Sequence, residues 1–90
     1  MTQGERPSND QVNKFKNDLR TYAKRLHDAP SRESKEVVAH VIFNYIAEHK
    51  YVLFYYKIFH NVVIQKLVYL HTVEKWAPAM QYLQRIGDHI

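Results

Sequence analysis

The chain has no cysteine, only two glycines and three prolines, and no long hydrophobic run. The absence of cysteine excludes disulfides and thiolate chemistry. Because glycine and proline supply most tight turns, their scarcity argues against β-hairpins and favours helices. The most apolar run, residues 51–56, is far shorter than the roughly 20 residues that cross a bilayer, and residues 1–10 contain no apolar secretory signal. We therefore expect a cytoplasmic protein with no transmembrane segment.

Aromatic side chains are abundant and concentrated in the middle of the chain. They make up 13% of the 90 residues, and seven of them fall between Phe43 and Phe59. The six consecutive apolar or aromatic residues 51–56 would cover the whole circumference of a helix, because a helix turns about 100° per residue. We therefore expect residues 51–70 to be the centre of the core, covered on every side. Residues 1–7 are expected to be a disordered lead-in, and residues 8–90 a single helical domain.

Helix start and stop signals mark both ends of this domain. Ser8 and Gln11 form the pattern of a capping box, and Pro30 disfavours helical geometry at the residue before it, which predicts a helix over 9–28. Ser31 can cap a second helix over 32–48. Pro78 suits the first turn of a last helix over 77–87, which Gly87 is placed to terminate.

The middle of the chain is harder to divide, because no glycine or proline lies between Ser31 and Ala77. A single helix over 32–72 would be about 60 Å long, too long to be covered in a 90-residue monomer. A break at the polar step 48–50 instead predicts an antiparallel four-helix bundle with helices at about 9–28, 32–48, 51–72 and 77–87. The inner seam of the third helix would consist of Val52, Tyr56, Phe59, Val63, Leu67 and Leu70. The alternative fuses helices two and three into one long helix in an oligomer.

No pattern in the sequence indicates catalysis or a cofactor. The six histidines include no pair spaced by three or four residues, which is the spacing that gives one helix face two metal ligands. The three serines stand at helix starts, where capping explains them, and the two glycines stand apart and cannot form a phosphate-binding loop. We therefore predict a non-enzymatic protein without metal or cofactor.

The net charge of +4 permits binding to an anionic partner without identifying one. The first helix has a basic outer side that could contact nucleic-acid phosphates, formed by Lys14, Lys16, Arg20, Lys24 and Arg25. Acidic residues are interspersed on the same helix, which is also typical of an ordinary solvated face. A small helical adaptor or regulator, forming a homo-oligomer through residues 51–70, is a further alternative.

The C-terminal half resembles a known family. Lys66-Leu67, a polar and aromatic stretch, and then the run Tyr82–Gly87 (YLQRIG) are similar to the last two helices of the small immunity proteins of class IIa bacteriocins, the pediocin-like or enterocin A type. The resemblance implies an antiparallel four-helix protein of the cytosol that protects the producing cell by acting at a membrane receptor complex, the mannose phosphotransferase permease. The candidate residues for binding a protein partner are Lys66, Tyr69, Lys75, Trp76, Tyr82 and Arg85.

Overall fold

Helices make up nearly all of the part of the chain that the structure describes. The computed structural model covers residues 6–90, which contain α1 (Asn9–Asp28), α2 (Arg32–Glu48), α3 (Lys50–Tyr55), α4 (His60–Thr72) and α5 (Trp76–His89) and no strand. The predicted all-α class is confirmed. Most of the expected lead-in, residues 1–7, lies outside the described residues; within it, Arg6 is exposed and Pro7 is buried.

α1 begins and ends where the local signals predict. The hydroxyl of Ser8 accepts from the Gln11 backbone N–H at 3.1 Å, and the Gln11 side-chain oxygen accepts from the Ser8 N–H at 2.9 Å, so the capping box is formed. The helix stops at Asp28, and Ala29 before Pro30 has an extended ψ of 131°.

The predicted break between the second and third helices is present at His49. The Val52 N–H donates to the His49 carbonyl at 3.0 Å, a three-residue hydrogen bond that tightens the backbone between α2 and α3. The His49 ring stacks on Tyr45 with centroids 4.1 Å apart, and its Nδ1 lies 2.9 Å from the Tyr45 carbonyl oxygen. The long fused helix of the alternative does not occur.

The prediction of one continuous helix over 51–72 is wrong, because a second break separates α3 from α4. Lys57 has a φ of 60°, in the left-handed region. The Lys57 N–H donates to the Phe54 carbonyl and the Ile58 N–H to the Leu53 carbonyl, both at 2.9 Å. This pair of bonds is a Schellman motif, which satisfies the last carbonyls of α3 and turns the chain. A lysine holds the position that glycine usually takes, so a search for glycine and proline could not find the break.

α4 ends in the same way. Glu74 has a φ of 58°, and the N–H groups of Glu74 and Lys75 donate to the carbonyls of His71 and Leu70 at 3.1 and 2.9 Å. Glu74 therefore also occupies a left-handed position without being glycine. The two connections on either side of α4 are built by the same backbone motif.

The last helix is longer than predicted, running from Trp76 to His89 with Pro78 in its first turn. Gly87 does not terminate it, so that prediction is wrong. Gly87 is buried inside the helix, and a Cβ placed on it would lie 4.0 Å from the Lys16 carbonyl oxygen of α1. Gly87 therefore lies where α5 packs on α1, at an ordinary van der Waals distance from the α1 backbone.

Four of the helices pack in a closed ring, which agrees approximately with the predicted four-helix bundle. α1 contacts α2 and α5, and α4 also contacts α2 and α5, while the short α3 joins α2 to α4. The molecule measures 40 × 21 × 19 Å. Its core consists of Phe15, Leu19, Ala23, Leu26, Ala39, Ile42, Ile46, Val52, Leu53, Val63, Leu67, Leu70, Ala79, Leu83 and Ile86.

The aromatic run at 51–56 is not covered on every side. Val52 and Leu53 are buried, but 55% of Phe54 is exposed. Phe59, predicted to lie in the inner seam, is 58% exposed. The reason is the turn at Lys57, which ends α3 before α4 begins in a new direction. Residues before and after the turn therefore do not share one helical face. The expectation of a fully covered central helix was therefore wrong.

Candidate interaction surface

α4 carries two apolar stripes, and only one of them is inside the bundle. Val63, Leu67 and Leu70 are buried against the other helices. A globular surface helix usually has a single apolar stripe of this kind and a polar remainder. α4 departs from that pattern.

The second stripe, called here the outer stripe, is spaced by three and four residues and faces away from the core. It consists of Phe59, Val62, Lys66, Tyr69 and Val73. Its four apolar and aromatic members are 58%, 56%, 56% and 41% exposed in chain order. This spacing gives one continuous strip along the helix, about 100° around from the buried one. α4 thus presents to solvent the kind of face that helices normally bury.

Aromatic residues of α3 extend the outer stripe at its N-terminal end. The rings of Phe54 and Phe59 meet edge to face with centroids 6.4 Å apart, across the turn at Lys57. Tyr51 and Tyr55 on α3 are 39% and 37% exposed. The turn therefore brings the exposed side of α3 next to the start of the outer stripe.

The charged side chains of α3, α4 and the turn between them are all basic. Between His49 and Val73 the chain contains Lys50, Lys57 and Lys66 and no aspartate or glutamate, and all three lysines are exposed. The nearest carboxylates along the chain are Glu48 and Glu74. Glu74 is engaged with Arg32 at the start of α2, its Oε1 lying 3.6 Å from the Arg32 Nη1. The surface of α3 and α4 is therefore both apolar and basic.

Two of the six predicted partner-binding residues lie on the outer stripe. Lys66 and Tyr69 are adjacent on it, whereas Lys75 and Arg85 are exposed elsewhere, near the start and in the last half of α5. Phe54, Phe59, Val62 and Val73 are exposed here but are not among the residues predicted from the sequence to bind a partner. Their helical spacing also fits a core stripe, and Phe59 is one of the residues predicted to lie in the core.

The other two predicted residues have structural contacts. Trp76 is half-buried, with its ring 4.9 Å from that of His71 and the Lys35 Nζ 5.2 Å from its centroid. Tyr82 is half-buried against the core, and burial raises the pKa of its phenol. Both side chains therefore have packing contacts within the bundle.

The five basic residues of α1 do not form one patch. Lys14 and Arg20 are six residues apart, which places them about 120° apart around the helix. Lys14 pairs with Asp18 at 2.9 Å and Arg20 with Asp88 at 3.4 Å. Lys16 and Lys24 lie on the same side of the helix as Arg20, and Arg25 lies on the same side as Lys14.

An open groove of about 450 Å³ lies between α1 and α5, lined by Arg20, Lys24, Asp28, Met80, Gln84 and Asp88. Its charges are mixed, and the Arg20–Asp88 pair crosses it. It therefore offers no uniform charge for a ligand. Among residues 6–90, no three His, Asp or Glu side chains lie close enough together to hold a metal ion.

One partly buried polar contact joins α1 to α2. Tyr45 donates to Asp18 Oδ2 at 2.6 Å, and Lys14 Nζ donates to the same atom at 2.9 Å. Burial by itself would raise the pKa of Asp18, but the hydrogen bonds from Tyr45 and Lys14 and the positive charge of Lys14 hold it below its ordinary value. Burial and the bond to Asp18 raise the pKa of the Tyr45 phenol. This contact stabilises the packing of α1 on α2.

No known protein family, curated protein or solved structure matches the chain. None of the described helices is both long enough and apolar enough to span a membrane. The outer stripe, with its extension onto α3, is therefore the feature from which a function can be argued.

Proposed function

We propose that the chain is a non-enzymatic binding protein that engages its partner through the outer stripe of α4. The observation that carries this proposal is the exposure of Phe59, Val62 and Tyr69, each more than half accessible, on a helix that already buries a separate apolar stripe. Contiguous exposed apolar surface on a folded domain marks an interaction site more often than chance. Aromatic side chains are also enriched at binding interfaces.

The activity we propose is protection of a producing cell from its own class IIa bacteriocin, exerted from the cytoplasm at the membrane receptor complex. The resemblance of Lys66-Leu67 and the run Tyr82–Gly87 to that immunity family supports it. The four-helix arrangement of α1, α2, α4 and α5 is compatible with the same family. Lys66 belongs both to the resemblance and to the outer stripe.

Expression in a bacterium sensitive to class IIa bacteriocins tests this activity. We expect the wild-type chain to raise tolerance to at least one bacteriocin of a panel, and Val62→Glu on the outer stripe to abolish the protection. Val37→Glu is the matched control, because Val37 on α2 is 65% exposed and Val62 is 56% exposed. Unchanged sensitivity across the panel with well-expressed wild-type protein would refute the immunity activity, and equal loss with both variants would refute the role of the outer stripe.

A second candidate function is a homo-oligomeric adaptor. The three-and-four spacing of the outer stripe favours it, because helices that pair along their length carry this pattern. Light scattering tests it: a dimer in wild type that becomes a monomer in Val62→Glu supports the adaptor, and a wild-type monomer at high concentration rules it out. The nucleic-acid alternative has less support, since the basic residues of α1 are divided between two sides and two of them are paired.

A further inference from the structure

We infer that the outer stripe of α4 and the exposed face of α3 dock onto an anionic lipid bilayer surface. The inference rests on the proposed function only because both use the outer stripe as the binding surface. It adds that the binding partner of this surface is a lipid membrane. It follows from three properties of the surface: its lysines, its aromatic side chains and the central lysine that disfavours pairing with a second copy.

The charge of the surface complements an anionic membrane. Lys50 starts α3, Lys57 forms the turn and Lys66 lies in the middle of the outer stripe, with no carboxylate between His49 and Val73. Lysines near a membrane that contains anionic lipid each add attraction to the headgroups. Their long aliphatic stems also allow the ammonium group to reach the headgroups while the stem lies along apolar surface.

The exposed side chains are those found at the boundary between water and lipid. Phe54 and Phe59 form an edge-to-face pair at the N-terminal end of α4, both more than half exposed. Tyr51, Tyr55 and Tyr69 each present an apolar ring with a polar hydroxyl at its tip. Rings of this kind sit at headgroup level. A helix with an apolar face and flanking lysines lies in the plane of the interface without spanning it.

A second copy of the chain fits the surface less well. A two-fold pairing that overlaps the outer stripes along their whole length places the middle of one stripe against the middle of the other. That middle residue is Lys66, with Phe59 and Val73 seven residues to either side. Two lysines would therefore meet at the centre of the apolar contact, and like charges in that position oppose association. A lipid surface presents no such repulsion.

Co-sedimentation with phospholipid vesicles tests the inference on the purified full chain. We expect binding to phosphatidylcholine vesicles that contain about one quarter phosphatidylglycerol, weak binding to phosphatidylcholine alone, and a strong decrease when salt rises from about 0.05 M to 0.5 M. The triple variant Lys50→Gln, Lys57→Gln, Lys66→Gln should lower the partition coefficient by about fivefold per lysine at low salt. The charge-matched control Lys14→Gln, Lys24→Gln, Arg25→Gln on α1 should lower it at most about threefold, since these residues lie on another helix.

The apolar part of the surface is tested by Val62→Glu against Val37→Glu. Val62→Glu should lower vesicle binding by more than tenfold, whereas Val37→Glu should leave it within about twofold of wild type. Circular dichroism on both variants verifies that the helices are intact. Equal loss in both variants, or a larger loss in the α1 control triple than in the Lys50, Lys57, Lys66 triple, overturns the inference.

Failure of this inference can be told apart from failure of the proposed function. If the wild-type chain does not bind anionic vesicles at low salt but Val62→Glu abolishes protection in cells, the face contacts a protein and the lipid inference is wrong. If vesicles bind as described but no bacteriocin is tolerated, the immunity activity is wrong and the lipid contact stands. A dimer by light scattering that Val62→Glu dissociates assigns the face to a second copy and overturns the lipid inference.

Discussion

The phenol of Tyr45 on α2 donates a 2.6 Å hydrogen bond to the carboxylate of Asp18 on α1, and the two side chains are 27 residues apart in the chain. The Tyr45 ring also stacks on Phe15 with centroids 5.7 Å apart and on His49 at 4.1 Å. One side chain therefore links the first helix to the break between α2 and α3.

Removing the Tyr45 hydroxyl should destabilise the bundle without disturbing this stacking. Tyr45→Phe deletes a bond to a charged acceptor, worth about 1.5–3 kcal/mol when well buried. Asp18 keeps 27% of its side chain exposed, so we expect a decrease of about 1 kcal/mol in the free energy of unfolding, at the low end of that range or below it. Urea unfolding measures it, with the exposed Tyr69→Phe as control. A loss of equal size in the control would show that the hydroxyl bond to Asp18 does not matter.

The same contact predicts a pH dependence. The pKa of Asp18 is lower in the folded protein than the ordinary value of 3.8, so its contribution to stability is fully present above that value and is lost as the pH falls through the folded-state pKa. At pH 7 the wild type should therefore be more stable than Asp18→Asn. The difference should shrink below about pH 4, as followed by urea unfolding at each pH. A difference that is independent of pH would contradict the lowered pKa.

Glycine at the left-handed positions should stabilise the protein. Lys57 and Glu74 hold φ values of 60° and 58°, which cost a residue with a Cβ about 1–2 kcal/mol. Part of the gain is offset because glycine gives the unfolded chain more freedom, so we expect Lys57→Gly to raise the free energy of unfolding by about 0.5–1 kcal/mol. Thermal and urea unfolding measure it. Lys66→Gly, inside α4, is the opposing control and should destabilise by about 1 kcal/mol.

Gly87→Ala should also be stabilising. The added Cβ would lie 4.0 Å from the Lys16 carbonyl oxygen, which is an ordinary van der Waals distance. Alanine is favoured over glycine within a helix by about 0.8–1 kcal/mol, and somewhat less near the end. We expect a gain of about 0.5 kcal/mol in urea unfolding. A loss of more than that would show that α1 and α5 pack too closely for any side chain at this position.

Features set by a few neighbouring residues were predictable from the sequence. The Ser8–Gln11 capping box, the stop before Pro30 and the position of Pro78 in the first turn of α5 depend on local backbone chemistry, and the structure confirms each. The break near His49 was predicted from polarity and from the length of helix that a small globule can cover. The scarcity of glycine and proline correctly indicated an all-α protein.

The tertiary structure alone decided how α4 is exposed. Lys57 and Glu74 adopt conformations that their side chains disfavour, and the two Schellman turns persist because the packed helices and the hydrogen bonds to Leu53 and Leu70 compensate for the strain. The turn at Lys57 changes the phase of the chain, which moves Phe59 from the predicted core to the surface. Sequence periodicity showed that residues 51–73 are apolar at helical spacing, but it could not show which of two apolar stripes the bundle would bury.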